Sequence, residues 1–370
     1  MLHRRAAQGT QTPRRGEKTQ PIFCTIFGAM MLVLVAEVLL LIISICVTDV
    51  GGRLNQNAKD MLAMQVRNRV GYVQDLMQDA QDLTDLSDYI DRATLSMVNT
   101  GRLDLDALNT DSKQSSALLA AIAPELVNTL RARSVTGIFV VLNTEDLRLL
   151  DVGSGVPGIY LRDLDPDARP SEENADLLIE RGSAAVVKAL GITTDKSWQP
   201  VLRYYGLKGR GFFKEPFLRA YEDNARLSEE YYGRWTTSAY TISDDDRSAI
   251  AYSQPLILPD GTVYGVVGVE LLTSYVQEKM PYEELQNEKS GAYFLVSTTA
   301  DEDAEEFVVS KLVTSSQDSY ALEAPESMMR CERRADGCWL NLHKRDYYAV
   351  AMPISLYSRN GPFSEEHWLL

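Results

Sequence analysis

Between Pro21 and Val47 the chain is almost continuously apolar, and nothing else in it limits the fold as strongly. At about 1.5 Å per helical residue the run exceeds a ~30 Å hydrocarbon core. It is also longer than the ~7–15 residue apolar core of a signal peptide. Ile45 stands before Cys46, where lipoprotein processing needs a small residue, so the run reads as an uncleaved membrane anchor. Residues 1–20 carry Arg4, Arg5, Arg14, Arg15 and Lys18 against Glu17 alone. That basic flank predicts a cytoplasmic N-terminus and places residues 49–370 outside the membrane. Glu37 falls mid-membrane, where a carboxylate costs roughly 2.5–3.5 kcal/mol. It reads either as facing a partner helix or as tolerated singly in a strongly apolar one.

The full 370 residues leave room for more than one compact domain beyond the anchor. A net charge of −15 argues against nucleic acid or an anionic membrane surface as partner. From Arg53 to about Val98, Leu62, Val66, Val70, Val73, Met77 and Ala80 recur at spacings of three and four, which predicts one long helix. Gly101–Ser112 reads as loop and Ala117–Arg131 as a second helix. Val135–Val141 and Leu147–Val152 read as strands joined by the turn Asn143-Thr144-Glu145-Asp146. Beyond Ile159–Pro166, a polar insertion runs to about Arg226, with one helix expected at Ser183–Leu190. Its aromatics, Trp198, Tyr204, Tyr205, Phe212 and Phe213, read as local core in preference to a ligand cage.

Ser248–Leu258 and Thr262–Leu272 read as a β-hairpin turned by Pro259-Asp260-Gly261. Period two puts Val263, Val267, Val269 and Leu271 on one face, and Tyr264, Val266, Gly268 and Glu270 on the other. Gly268 is expected to leave open space above that second face. With a tight turn, Tyr252 lies across from Gly268, on the side of Glu270. Downstream, Leu272–Met280 reads as helix. Ala292–Ser297, Glu306–Leu312, Cys338–Leu342 and Tyr347–Met352 read as four short strands of a second sheet. Ala300–Glu306 reads as a solvated acidic loop, without the oxygen spacing of an EF-hand. Asp244-Asp245-Asp246 reads as an exposed turn more readily than as a cation site.

The run "IAYSQPLILPDGTVYGVVGVELL" resembles the double-Cache (dCache) sensor domains of bacterial transmembrane receptors. There, a Tyr-Ser-x-Pro strand, an Asp-Gly turn and a Gly-Val-x-Gly-Val-(Asp/Glu) strand close the membrane-distal ligand module. The resemblance implies an α+β fold with one N-terminal transmembrane helix, a long stalk helix and two PAS-like antiparallel sheet modules in tandem. The expected boundaries are 1–20 (cytoplasmic tail), 21–47 (membrane helix), 48–99 (stalk and dimer helix), 100–275 (distal ligand module) and 276–370 (proximal module). The chain is expected to stop short of a second membrane helix and an output domain. In amino-acid-binding members an "R-x-W-Y" run holds the ligand carboxylate, and downstream Tyr and Asp residues hold the amine. By that likeness the candidate ligand residues are Tyr232, Arg234, Trp235, Tyr240, Tyr252 and Glu270.

Two departures matter. Arg234 and Trp235 are adjacent, so both reach one pocket only if Gly233 makes the backbone irregular. Glu270 stands where the family usually has Asp. A salt-bridged arginine and a core indole are the plain alternatives for Arg234 and Trp235. Cys331 and Cys338 flank a plausible turn and read equally as a disulfide or as two half-buried thiols.

No HExxH, CxxC pair, GxSxG elbow or Walker loop is present, so no catalytic activity and no cofactor are expected of this chain. A longer parent protein is left open, with a diguanylate cyclase or histidine kinase as output. The expected function is sensing of a small polar metabolite, an amino acid or similar, by a membrane-anchored receptor that forms a homodimer through its long helix. The alternative is a non-signalling surface protein for solute capture or assembly. An anchored hydrolase comes third.

Overall fold

A computed structural model describes residues 22–47, 50–151, 153–168, 174–203, 212–242, 245–285, 291–299, 306–316, 328–334, 337–342, 345–357 and 361–370. The basic tail, Tyr204, Tyr205, Asp244 and residues 300–305 of the acidic run lie outside these. The chain divides into two compact units, residues 1–61 and 62–370. In the first, α1 (Ile22–Val47) contains a segment, Ile22–Ser44, that is long and apolar enough to cross a membrane and packs against no protein. Helix α2 (Val50–Gln81) spans the division.

Within the second unit, α2 buries Val66, Val73, Met77 and Ala80, the stripe its periodicity requires. Its polar side chains grip backbone distant in sequence. Arg69 donates to the Lys279 carbonyl at 2.7 Å, Gln78 to Ser355 at 2.8 Å and Gln81 to Leu356 at 3.1 Å. Gln74 accepts from the Ser355 amide at 3.0 Å. The expected continuous helix is interrupted at Asp82 and Leu83, and α3 (Thr84–Asn99) starts anew. Leu83 is fully buried there, and the Thr84 hydroxyl donates to Glu230 at 2.6 Å. Helix α4 (Ser112–Ala132) begins five residues before Ala117 because the Asp111 carboxylate caps the amides of Lys113 and Gln114.

Next come β1 (Gly137–Leu142), β2 (Gly155–Val156), β3 (Gly158–Asp163), β4 (Leu177–Arg181), α5 (Ala184–Leu190), β5 (Thr194–Gln199), β6 (Leu202–Arg203) and α6 (Lys214–Glu222). They are followed by β7 (Arg234–Trp235), β8 (Tyr240–Thr241), β9 (Ser248–Ile257), β10 (Val263–Leu272) and α7 (Thr273–Glu278). Eight of these strands form one sheet in the order β5-β4-β3-β1-β10-β9-β7, with β8 also on β9, while β2 and β6 pair separately. Only β4 and β5 run parallel. The helix expected at Ser183–Leu190 is α5; β4, β5 and α6 arise in the insertion where no element was expected. Of the strand expected at Leu147–Val152, residues 147–151 form none, and Val152 lies outside the described residues. Asp146 instead accepts from the amide and guanidinium of Arg148, each at 2.9 Å, and this local turn competes with a ladder. The neighbours of β1 are β3 and β10.

The β9–β10 hairpin forms as expected. Gly261 takes a positive φ of 88° in its turn, and Asp260 accepts from the Thr262 amide at 2.9 Å. A bulge between Val263 and Gly265 then shifts the register by one, so Tyr252 faces Val269 and Ala251 faces Glu270. A one-residue slip moves a side chain to the other face, so Tyr252 does not share the side of Glu270.

The second sheet contains β11 (Tyr293–Thr298), β12 (Glu306–Ser315), β13 (Met328–Arg334), β14 (Gly337–Leu342), β15 (Arg345–Ala349), β16 (Pro353–Ile354) and β17 (His367–Leu369). Its order is β15-β14-β13-β12-β11-β17-β16, and every pairing is antiparallel. Three of its strands, β13, β16 and β17, were not expected from the sequence.

Candidate functional site

Glu270 is fully buried near the end of β10. Its neighbour across β1 is Gly137, and beyond that on β3 is Arg162. A side chain at 137 would crowd the carboxylate: a Cβ there lies 3.0 Å from Glu270 Oε1. With only hydrogen at that position, the Arg162 side chain crosses the sheet row and pairs with Glu270 through two bonds. Nε donates to Oε1 at 2.6 Å and Nη2 to Oε2 at 2.8 Å. The Tyr160 hydroxyl also donates to Glu270 Oε2, and it lies 2.7 Å from the Tyr240 hydroxyl. Tyr240 reaches Glu270 Oε2 at 3.5 Å.

Arg162 is likewise fully buried and holds two further carboxylates with Nη1: Glu180 at 3.2 Å and Asp245. Arg247 closes the network, donating to Asp245 at 2.8 Å, Glu180 at 2.7 Å and Asp195 at 2.9 Å. Burial works against charge throughout. It raises Glu180 above the ordinary carboxylate range despite Arg162 and Arg247. Against the same penalty, hydrogen bonds from Arg247 and Arg162 hold Asp245 below that range. Burial and the charge of Glu270 push both Tyr160 and Tyr240 well above the usual phenol range.

Aromatic rings wall the same face. Phe139 stacks on Tyr160 with centroids 5.3 Å apart, and Phe212 stacks on Tyr240 at 4.8 Å and meets Phe139 edge-on at 4.7 Å. Phe139 is the cross-strand partner of Gly268, and its ring fills the space expected to be open above that glycine. Phe212, read from sequence as local core, therefore borders this cluster.

The six sequence candidates are divided. Tyr240 and Glu270 come together. Arg234 and Trp235 form an ordinary two-residue strand opposite Ser253 and Tyr252, so their side chains leave on opposite faces. Gly233 has extended backbone (φ −66°, ψ 139°) and supplies no irregularity; its missing side chain instead admits the Tyr252 ring and hydroxyl. The Arg234 guanidinium pairs with Glu366 at 2.5–3.1 Å and lies over the Phe363 ring at 5.1 Å. It borders a cleft of about 430 Å³ that α6 and residues 362–366 also line. Trp235 is fully buried against Tyr252 and Trp368, with its amide bonded to the Tyr357 hydroxyl at 2.8 Å. The Tyr232 hydroxyl donates to Asp223 at 2.5 Å.

Tyr160, Arg162, Glu180 and Asp245 were not among the candidates. Asp245, expected in an exposed turn, has a side chain only 1% exposed. Cys331 and Cys338 lie on the paired strands β13 and β14 with Cα atoms 6.1 Å apart and sulfurs in bonding contact. Among the described residues, no group of three or more His, Cys, Asp and Glu side chains is arranged to hold a metal ion.

A second set of acids, half-buried, sits at the other end of β10. The Tyr264 hydroxyl donates to Asp91 of α3 at 2.5 Å, and Glu229 accepts from the Ile257 amide at 2.7 Å. Burial pushes Asp91 up to about 6, against the hydrogen bond from Tyr264 and with help from Asp88. Burial also pushes Glu229 up to about 7, opposed by a hydrogen bond from Ser87 and assisted by the charge of Asp91.

No family model matches the chain, and no curated protein matches its sequence. Among solved structures it is similar to the methyl-accepting chemotaxis protein X, with 11% identity, a TM-score of 0.43, and 86% of this chain and 97% of that one covered. It is also similar to the periplasmic sensory domain of the Campylobacter jejuni chemoreceptor Tlp1, at 11% identity and a TM-score of 0.40, covering 85% and 94%. A third is the ligand-binding domain of the Pseudomonas fluorescens chemoreceptor CtaA in complex with L-isoleucine, at 12% identity and a TM-score of 0.35, covering 86% and 93%.

Proposed function

We propose that this chain is the extracytoplasmic sensor region of a membrane-anchored receptor, with its N-terminus in the cytoplasm and a small polar metabolite, an amino acid or similar, as ligand. The Tyr240–Glu270 face of the first sheet is its binding side. One observation carries this reading: a cluster of four acids and two arginines, with Arg162, Glu180 and Glu270 fully buried, fills a place where an apolar core would be more economical. Buried ion networks are weak contributors to stability, and such perturbed groups gather at functional sites. The resemblance of the hairpin run to dCache sensors supports the same face.

A ligand acts by its differential affinity for two states, and α2, gripped along its polar side, is the element whose shift would carry the signal. A homodimer through that helix completes the proposal. The output of a longer parent protein is not specified by this reading.

Thermal unfolding of the full chain in nanodiscs, against a panel of amino acids, amines and organic acids, tests it. A ligand at ~100 times its Kd adds about 2.7 kcal/mol. A rise in the midpoint that Tyr240→Phe and Glu270→Gln both abolish is the expected result. A flat panel on a folded protein would count against a sensor.

A further inference from the structure

The Glu270 side of this face already holds a cation. Arg162 bonds both carboxylate oxygens with a forked pair, at 2.6 and 2.8 Å, and is itself fully buried. Gly137, the residue of the row between Arg162 and Glu270, has no side chain, which is what lets a guanidinium lie across the strands. The remaining Nη1 is shared between Glu180 and Asp245, so Arg162 has somewhere to go without losing all of its partners. The Arg162 guanidinium also lies over the Tyr160 ring at 5.6 Å, beside the aromatic wall.

Taking this face as the ligand side, we propose that Arg162 is a tethered competitor: its guanidinium occupies the cation subsite at Glu270, and a ligand's ammonium group gains Glu270 only by displacing it onto Glu180 and Asp245. Binding then adds the ligand's cation to a cluster in which four acids face only two arginines, with Arg162 staying among Glu180 and Asp245 while the incoming charge is met by Glu270. A tethered group acts at a millimolar or higher effective concentration, so a simple amine loses the contest. A ligand wins only if a second group on it makes further contacts, which sets specificity against monovalent amines. The exchange also has a direction. Asp245 precedes β9 and Arg247 bridges it to Glu180 on β4 and Asp195 on β5, so displacement of Arg162 loads the far edge of the sheet.

The test is chemical rescue in the full chain in nanodiscs, with ethylguanidinium, the severed head group of Arg162, as probe. Arg162→Ala should show a midpoint that rises by several degrees with millimolar ethylguanidinium, while the wild type stays flat. Adding Glu270→Gln to Arg162→Ala should abolish the rise. If Arg162→Ala does not fold, Arg162→Lys keeps the charge but not the fork. It should respond to the probe by a smaller rise. A folded variant that ignores the probe, or a wild type that responds equally, overturns the proposal. Any ammonium-bearing ligand found for the wild type should bind Arg162→Ala at least about tenfold tighter, because the occupied fraction no longer reduces its apparent affinity. Unchanged affinity sinks the competitor and leaves the sensor standing. Rescue together with a flat metabolite panel overturns the sensor and the competitor with it, and leaves Arg162 and Glu270 a structural pair.

Discussion

The two ends of β10 hold acids, fully buried at Glu270 and half-buried at Asp91 and Glu229, under opposite electrostatic conditions. Around Glu270, the acids Glu180, Asp195 and Asp245 are interleaved with Arg162 and Arg247, and every one of them accepts at least one guanidinium bond. Around Tyr264, Asp91 and Glu229 meet a phenol, a hydroxyl, an amide side chain and a backbone amide, but no cation within ion-pair distance among the described residues. Both sets pay for desolvation. In the second, burial pushes Asp91 up to about 6 and Glu229 up to about 7. In the first, hydrogen bonds from Arg247 and Arg162 hold Asp245 low against burial, while burial still raises Glu180 despite both arginines.

The strongest way to break the contrast is to remove the cation. Arg162→Met leaves Glu270, Glu180 and Asp245 short of charge and should cost about 3–5 kcal/mol in denaturant unfolding. Its remaining stability should fall as pH rises, as expected of unpaired buried acids. The double variant with Glu270→Met should recover part of the loss, since it removes both members of the pair. A single variant as stable as wild type would mean that the network is solvated.

Gly137→Ala disturbs the same pair without deleting a charge. Its Cβ would sit 3.0 Å from Glu270 Oε1 and 3.1 Å from the Leu161 carbonyl, so a loss of about 1–3 kcal/mol is expected from overpacking. Calorimetry of the variant checks this, and a neutral result would show that the strands give way easily.

At the other cluster the sign reverses. The folded-state value of Glu229, about 7, lies above its unperturbed 4.5, so the native state binds more protons than the unfolded chain between those values. The stability this group contributes is complete at low pH and is lost as pH rises through about 7. Glu229→Gln keeps an acceptor for the Ile257 amide and should stabilise the protein at pH 8 by roughly 1–3 kcal/mol while changing little near pH 4. Parallel pH profiles for wild type and variant would contradict the contrast.

The smallest effect is expected at an intermediate case. Arg234 and Glu366 are paired but retain 20% and 12% side-chain exposure, so Arg234→Met should cost only about 1 kcal/mol. A loss as large as that of Arg162→Met would show that pairing, rather than complete burial, sets the scale.

Much of the architecture was legible because it is written in periodicity. The apolar run, the stripe from Leu62 to Ala80, the Asp-Gly turn and the α5 segment each repeat or punctuate locally. The register of β9 was not legible, because the bulge at Val263–Gly265 depends on how the strands pack rather than on a turn signal. Nor was the centre of the site. Glu270 was visible at the end of a strand, yet its partner Arg162 lies 108 residues earlier, in a segment, Ile159–Pro166, to which no element was assigned. Charge pairs across a sheet leave no period in the chain. The glycine that allows such a crossing, Gly137, was the available hint.

The grip on α2 bears on how the two sides of that contact tolerate substitution. Gln78 and Gln81 address carbonyl oxygens of Ser355 and Leu356, and Gln74 addresses an amide, so the far side contributes only main chain. Almost any residue supplies the same carbonyl, and all but proline the same amide. In a saturation scan, the exposed position 355 should accept most side chains, while Leu356, which packs against the core, and the three glutamines resist change. At Ser355 the contact is thus one-sided in information: the helix specifies the hydrogen bonds, and the residue they hold is free to vary.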